Sequence, residues 1–231
     1  MPKLSASTPF STSNSRQPMA WALTALLLMA LFAWLSIELS ERSASGGASA
    51  LEQRALLAAH AWRAAHPGLA EVMRDLTALG STAVLGLLCG LTVLFLALTR
   101  HIGRALLVAV AALSGVSLLS LMKGMFARAR PDPAFADAAW AGWSFPSGHA
   151  SMSALVYLTL AVLLASMRVR PSERLFLLGT ALLLSFLVGL SRVMLGAHWL
   201  GDVLGGWAFG SAWALLCLAL AQVLQRRHLA Q

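Results

Sequence analysis

Residues 175–224 read LFLLGTALLLSFLVGLSRVMLGAHWLGDVLGGWAFGSAWALLCLALAQVL. Two apolar runs, 175–190 and 200–224, flank a short segment holding Arg192 and His198, with Asp202 just inside the second run. A helix needs about 20 apolar residues to cross a bilayer. The stretch therefore predicts two membrane-spanning helices joined by a polar turn. His198 and Asp202 are four apart, so on a helix they would lie on one face, one turn from each other. There the carboxylate accepts a hydrogen bond from one imidazole nitrogen and leaves the other free to attack. Arg192 adds a planar fork of donors suited to a phosphate or carboxylate. The ordinary alternative is a helix end with a snorkelling arginine and a satisfied histidine.

Working outward, the 231 residues are 58% hydrophobic and only 11% charged, where soluble domains carry about a quarter charged residues. Further apolar runs stand at 19–37, 76–98, 102–122 and 149–167. The predicted fold class is all-α: a polytopic membrane protein with six transmembrane helices. The run 19–37 exceeds the apolar core of a cleaved signal, about 7–15 residues, so it reads as a retained helix with Trp21 and Trp34 as interface anchors. Residues 1–18, rich in Ser, Thr and Pro, read as a disordered cytoplasmic tail. Residues 19–75 form the first transmembrane helix and an outer-face loop, and 76–225 the membrane domain that carries the polar site. Within the loop, Leu51, Arg54, Ala55 and Ala58 follow helical spacing until His66-Pro67-Gly68 breaks it, which predicts short helices on the membrane surface. Gly201/Gly205 and Gly206/Gly210 are small-xxx-small pairs, so the last helix should pack closely on a neighbour.

The net charge of +8 comes from basic residues scattered through short loops. That suits a lipid bilayer with an anionic surface and points to no nucleic acid partner. Cys89 and Cys217 sit inside apolar runs without metal-ligand spacing. Six spans put both termini on one side, with nine Lys/Arg against eight on the other. Three of those eight, Lys123, Arg130 and Arg192, belong to the candidate site. Without them the bias is nine against five, which places the termini in the cytoplasm.

Two more polar clusters fall on the opposite, outer face. Lys123 and Arg130 are seven apart, about two helical turns, and Pro131 forces Arg130 out of helical geometry. Pro146-Ser147-Gly148-His149 precedes the fourth span. Ser147 is a natural N-cap, Gly148 admits close approach of a ligand, and a helix start is an anion site. Alone, each is a basic loop or a plain helix cap. Together the clusters gather one lysine, two arginines, a helix start, two histidines and one aspartate. That is a site for a phosphate ester. It is a poor metal site, because hard cations want several carboxylates. Asp132 and Asp137 have no ligand spacing, and there is no Gly-Lys-Ser/Thr nucleotide loop.

Lys-x6-Arg-Pro (Lys123, Arg130, Pro131), Pro-Ser-Gly-His (146–149) and Ser-Arg-x5-His-x3-Asp (Ser191, Arg192, His198, Asp202), in this order, resemble the tripartite signature of the type 2 phosphatidic-acid phosphatase (lipid phosphate phosphatase) family. The six-span layout is similar to its bacterial membrane members. The resemblance covers about 76–224 and departs from the signature at none of these positions. It implies His198 as the nucleophile that forms a phosphohistidine, Asp202 as its orienting carboxylate and His149 as general acid. It assigns Lys123, Arg130, Ser147, Gly148 and Arg192 to the phosphate oxygens, with no metal and no cofactor.

The implied activity is hydrolysis of membrane lipid phosphates or diphosphates at the outer face of a bacterial inner membrane. The candidate substrates are undecaprenyl diphosphate first, then phosphatidylglycerol phosphate and phosphatidic acid, with lipid A phosphates last. A phosphotransferase of the same fold, passing the group to another lipid, stays open, and a non-catalytic scaffold ranks last. Trp140, Trp143 and Trp199 are candidates to line the lipid entrance.

Overall fold

The computed structural model describes residues 17–44, 48–138 and 140–229. The expected disordered tail lies outside the described residues, except for Gln17 and Pro18, which open the first helix. The helices are α1 Gln17–Ala44, α2 Ala50–Ala65, α3 Pro67–Ala78, α4 Thr82–Leu98, α5 Ile102–Phe126, α6 Gly148–Ser166, α7 Pro171–Met194 and α8 Leu200–Leu229, with one 3-10 turn at Pro133–Phe135. Among the described residues, six segments are long and apolar enough to cross a membrane, running from Gln17–Leu39 to Leu200–Arg227. The all-α, six-span fold read from the sequence is the one observed.

In α1 the residues Ala25, Phe32, Ser36 and Leu39 are buried, while Leu26, Leu27, Trp34 and Ile37 are exposed. The buried set recurs at helical spacing, so one stripe packs on α8 and the rest is left for lipid. α6 sits at the centre, against α5, α7 and α8. Its first turns carry Ala150, Ser151, Ser153 and Ala154, all buried. Small residues there let backbones approach, and both small-xxx-small pairs of α8 are used. A Cβ on Gly206 would lie 2.9 Å from the Ser147 carbonyl oxygen, and one on Gly210 would strike that of Ser151. Gly201 and Gly205 give the same closeness to Leu39 and to the Phe145 ring.

Short helices form in the 50–78 segment, but α3 belongs to the second candidate crossing, Pro67–Leu98, rather than to a surface loop. Ser49 and Glu52 make a capping box at the start of α2, His66 ends it, and Pro67 opens α3. The second crossing is divided, because α3 and α4 separate at residues 79–81. Ser81 caps α4 there by accepting from the Val84 amide at 3.2 Å. α2 and α3 both pack on α7. At one end of the bundle the last turns of α1, α5 and α7 meet the first turns of α4, α6 and α8. Loops 127–147 and 195–199 are folded between them. Phe145 anchors the longer loop, stacked on Phe32 with centroids 5.6 Å apart and edge-on to Phe126 at 5.1 Å.

Candidate active site

All eight expected site residues converge at that end, although three arrive by routes other than expected. His198 and Asp202 do not share a helix. α7 ends at Met194, and Gly196 turns the chain back with φ +66. A side chain at Gly196 would run into the Phe135 carbonyl oxygen at 2.6 Å, so the turn needs glycine. The Ala197 and His198 amides donate to the Arg192 carbonyl at 3.0 and 3.3 Å. His198 thus lies in the turn and Asp202 in the first turn of α8. Lys123 and Arg130 do not share a helix either. α5 ends at Phe126 with Ala127 in the left-handed region, and Arg130 follows in irregular chain before its proline. Ser147 holds the N-cap position of α6 but makes no side-chain cap bond. Its hydroxyl is buried with no partner among the described residues.

The imidazole of His198 is buried and has distinct partners on its two nitrogens. Nδ1 is 3.5 Å from Asp202 Oδ2 and 3.3 Å from Ser144 Oγ. Nε2 is 3.1 Å from Arg130 Nη1. A guanidinium can only donate, so Nε2 must be the acceptor nitrogen and the proton sits on Nδ1, facing the carboxylate. This tautomer follows from the partners. Burial holds the imidazole down at about 4, against the opposing pull of the Asp202 hydrogen bond and charge. At neutral pH the ring is therefore neutral, with the Nε2 lone pair turned toward the arginine side.

Asp202 is fully buried and fixed on every side. Ser144 Oγ donates to Oδ2, as does the Trp199 amide at 2.9 Å. Arg128 Nη1 donates to Oδ1 at 2.6 Å. Arg128 also reaches both oxygens of Glu52, at 3.1 and 3.0 Å, and Glu52 accepts from the Gly201 amide at 3.2 Å. Arg128 is 5% exposed and Glu52 4%. One buried guanidinium thus joins α2 to the first turn of α8.

Arg130 is held by donating from Nε to the Gly142 carbonyl at 2.9 Å and from Nη1 to that of Ala197 at 2.7 Å. Burial lowers its pKa from the ordinary guanidinium value, which still leaves a cation. Lys123 Nζ donates to the Trp143 carbonyl at 2.8 Å. Arg192 lies over the Trp140 ring, 4.2 Å from its centroid, and donates to Thr77 Oγ1 at 3.0 Å. Its Nε is buried without a partner among the described residues. His149 lies within electrostatic reach of Arg192, His198, Arg130 and Lys123. A Cβ on Gly148 would lie 3.9 Å from Lys123 Cε. Two unpartnered donors among three cations, beside a neutral nucleophilic nitrogen, suit a phosphoryl group.

A model of the PAP2 superfamily matches residues 102–226. The chain belongs to the PAP2 superfamily. Phosphatidylglycerophosphatase B of Bacillus subtilis (strain 168) is 33% identical over 146 residues, covering 62% of this PAP2 chain and 71% of that one. Lipid A 1-phosphatase of Rhizobium johnstonii is 35% identical over 108 residues, covering 43% of this chain and 40% of the relative. The crystal structure of a transmembrane PAP2-type phosphatidylglycerolphosphate phosphatase from Bacillus subtilis superposes with a TM-score of 0.74 at 27% identity, over 90% of this chain and 98% of that one. The membrane location, the helical fold and the family expected from the three motifs are those found.

Four residues at this PAP2 site escaped the sequence reading: Arg128, Ser144, Glu52 and Thr77; Trp140, expected at the lipid entrance, lies under the Arg192 guanidinium. Arg128 stands inside the Lys-x6-Arg spacer, where the motif names no residue. The Ser49-x-x-Glu52 pattern is visible as a capping box, but nothing local says that this glutamate also reaches α8. Ser144 and Thr77 have no sequence signal at all.

Proposed function

We propose that this PAP2-superfamily membrane phosphatase hydrolyses phosphate esters of membrane lipids through a phosphohistidine on His198. The observation that carries the reading is a groove. A cavity of about 530 Å³ runs between α4 and α5 over α6. Leu85, Cys89, Val93, Leu113, Val116 and Leu119 line it, and it ends at Lys123, Gly148 and His149. From Ala109 to Lys123 along α5 it measures roughly 20 Å. An apolar trough that ends in a cationic cluster fits an amphiphile with a phosphate head.

In this reading Lys123, Arg130, Arg192, the Ser147 hydroxyl and the start of α6 hold the phosphate oxygens and offset the charge of the transition state. His198 Nε2 attacks phosphorus, the N–P bond forms and the ester P–O bond breaks. His149 protonates the leaving oxygen. Water then attacks the phosphohistidine with His149 as base, the N–P bond breaks, and phosphate leaves with His198 neutral again. Asp202 keeps the proton on Nδ1 and stabilises the positive charge that grows on the ring. The oxygen ligands here are cations and hydroxyl or amide donors, so the step calls for no divalent metal, and EDTA should leave phosphate release unchanged.

The activities named for the relatives put phosphatidylglycerol phosphate first among substrates to assay, ahead of undecaprenyl diphosphate, phosphatidic acid and a lipid A 1-phosphate. The test compares release of inorganic phosphate from these lipids in micelles with release from a water-soluble phosphate ester, with His198→Ala as blank. Higher kcat/KM on the lipids is expected. Equal efficiency on the soluble ester would sink the groove's role. Labelled phosphate passing to an acceptor lipid, without free phosphate, would make the protein a transferase.

A further inference from the structure

At the other end of the bundle the geometry points to a second lipid site, one that binds an anionic phospholipid without reacting with it. Between the start of α5 and the end of α8 lies a cavity of about 520 Å³, lined by Gly103, Arg104, Leu107, Leu220, Leu224 and Gln225, among others. Its rim is open to the bilayer, because Leu106, Val110, Leu220 and Leu224 are exposed apolar side chains. Among the described residues that line it, Arg104 is the one charged group. This arginine is only 7% exposed, and its Nε has no hydrogen-bond partner among the described residues. None of the ion pairs among those residues includes it.

A membrane arginine normally snorkels its head into water or pairs with an acid. Arg104 is buried as a residue, has no acid partner among the described residues, and leaves its Nε without an acceptor. It also stands in the first turn of α5, whose N-cap His101 makes no side-chain cap bond. A helix start is the positive end of the dipole, so the local field opposes a cation and favours an anion. A buried donor, a helix start and an apolar trough beside them require a ligand with a negative head and a hydrocarbon tail. A lipid phosphate at Arg104, with one acyl chain along Leu107 and Leu220, satisfies all three. Along α5 this place is 19 residues from Lys123, about 28 Å at 1.5 Å per residue, so it is separate from the catalytic end.

The test is native mass spectrometry of the detergent-purified chain titrated with dioleoylphosphatidylglycerol, dioleoylphosphatidylcholine or inorganic phosphate. One phosphatidylglycerol should bind more tightly than phosphatidylcholine. Losing a charge-assisted bond should weaken it about tenfold in Arg104→Gln. Leu220→Trp, which fills the trough and keeps the charge, should weaken it too, so the proposal survives a misfolded Arg104 variant. Lys123→Ala should leave it unchanged. Equal binding of phosphatidylcholine would remove the anion, and displacement of the lipid by equimolar inorganic phosphate would remove the tail. Loss in Lys123→Ala with retention in Arg104→Gln would move the lipid to the catalytic end. Any of these three outcomes overturns the proposal.

Discussion

At the scale of single residues, the proposed mechanism makes the neutral His198 ring the group that sets both rate and pH dependence. Its proton affinity in the fold, about 4, lies below the ordinary 6.5 because burial disfavours the charged ring. The free nucleophile is therefore present above about 4 and is lost as pH falls through that value. The acid limb of kcat/KM should lie nearer 4 than 6.5, and a limb at 6.5 would move the titrating nucleophile to another group. Stability follows the same sign. Between 6.5 and 4 the unfolded chain binds a proton that the folded chain refuses, so this contribution is full above 6.5 and declines on acidification. A melting temperature that rises from pH 7 to 5 would contradict it. His198→Ala should lower kcat by roughly four orders of magnitude or more. Asp202→Asn should cost about three to four, because an amide no longer fixes the proton on Nδ1. Retained turnover in His198→Ala would remove that histidine from the chemistry.

At the scale of elements, α2 is more than a cover on the membrane surface. Arg63 donates to the carbonyls of Met194 and Phe135, which ties α2 to the end of α7 and to the 3-10 turn. Arg74 of α3 pairs with Asp137 at 2.8 Å, and this guanidinium holds the aspartate below the usual carboxylate range. Glu52 reaches further, through Arg128 to Asp202. Arg128 lies between two buried carboxylates, and removing one member of such a pair costs about 3–5 kcal/mol in stability. Glu52→Gln should therefore lower the melting temperature and release Arg128 to pull Asp202 away from Nδ1. The expected result is a roughly tenfold fall in kcat with KM little changed, since Glu52 touches no phosphate ligand. A lower melting temperature with kcat intact would make Glu52 a purely structural residue.

At the scale of the whole molecule, six crossings put loop 127–147 and the turn at 168–170 on opposite sides of the bilayer. We propose from the basic bias that the site faces outward. Ala136 is half-buried and touches the Gly196 turn. Ala134 is exposed and serves better. Single cysteines at Ala134 and at Arg170, in a background without Cys89 and Cys217, should react differently with an impermeant thiol reagent in intact cells. Ala134→Cys should label and Arg170→Cys should not. The reverse pattern would put the site, and its substrates, on the cytoplasmic face.

Hydropathy by itself determined the six crossings, because a bilayer demands about 20 apolar residues per helix and the chain supplies six such runs. The order of Lys123, Arg130, Ser147, His149, Arg192, His198 and Asp202 determined the family, because phosphoryl chemistry needs those groups at helix ends. Only the tertiary structure decided how they meet. Local spacing suggested a helical pair for His198 and Asp202. The fold instead uses a glycine turn, packed so closely on Phe135, far away in sequence, that a side chain would clash. Glu52, Arg128, Ser144 and Thr77 were hidden for the same reason. Each acquires its role from a partner between 54 and 149 residues distant, and no periodicity in a sequence reports which buried donor will find which acceptor.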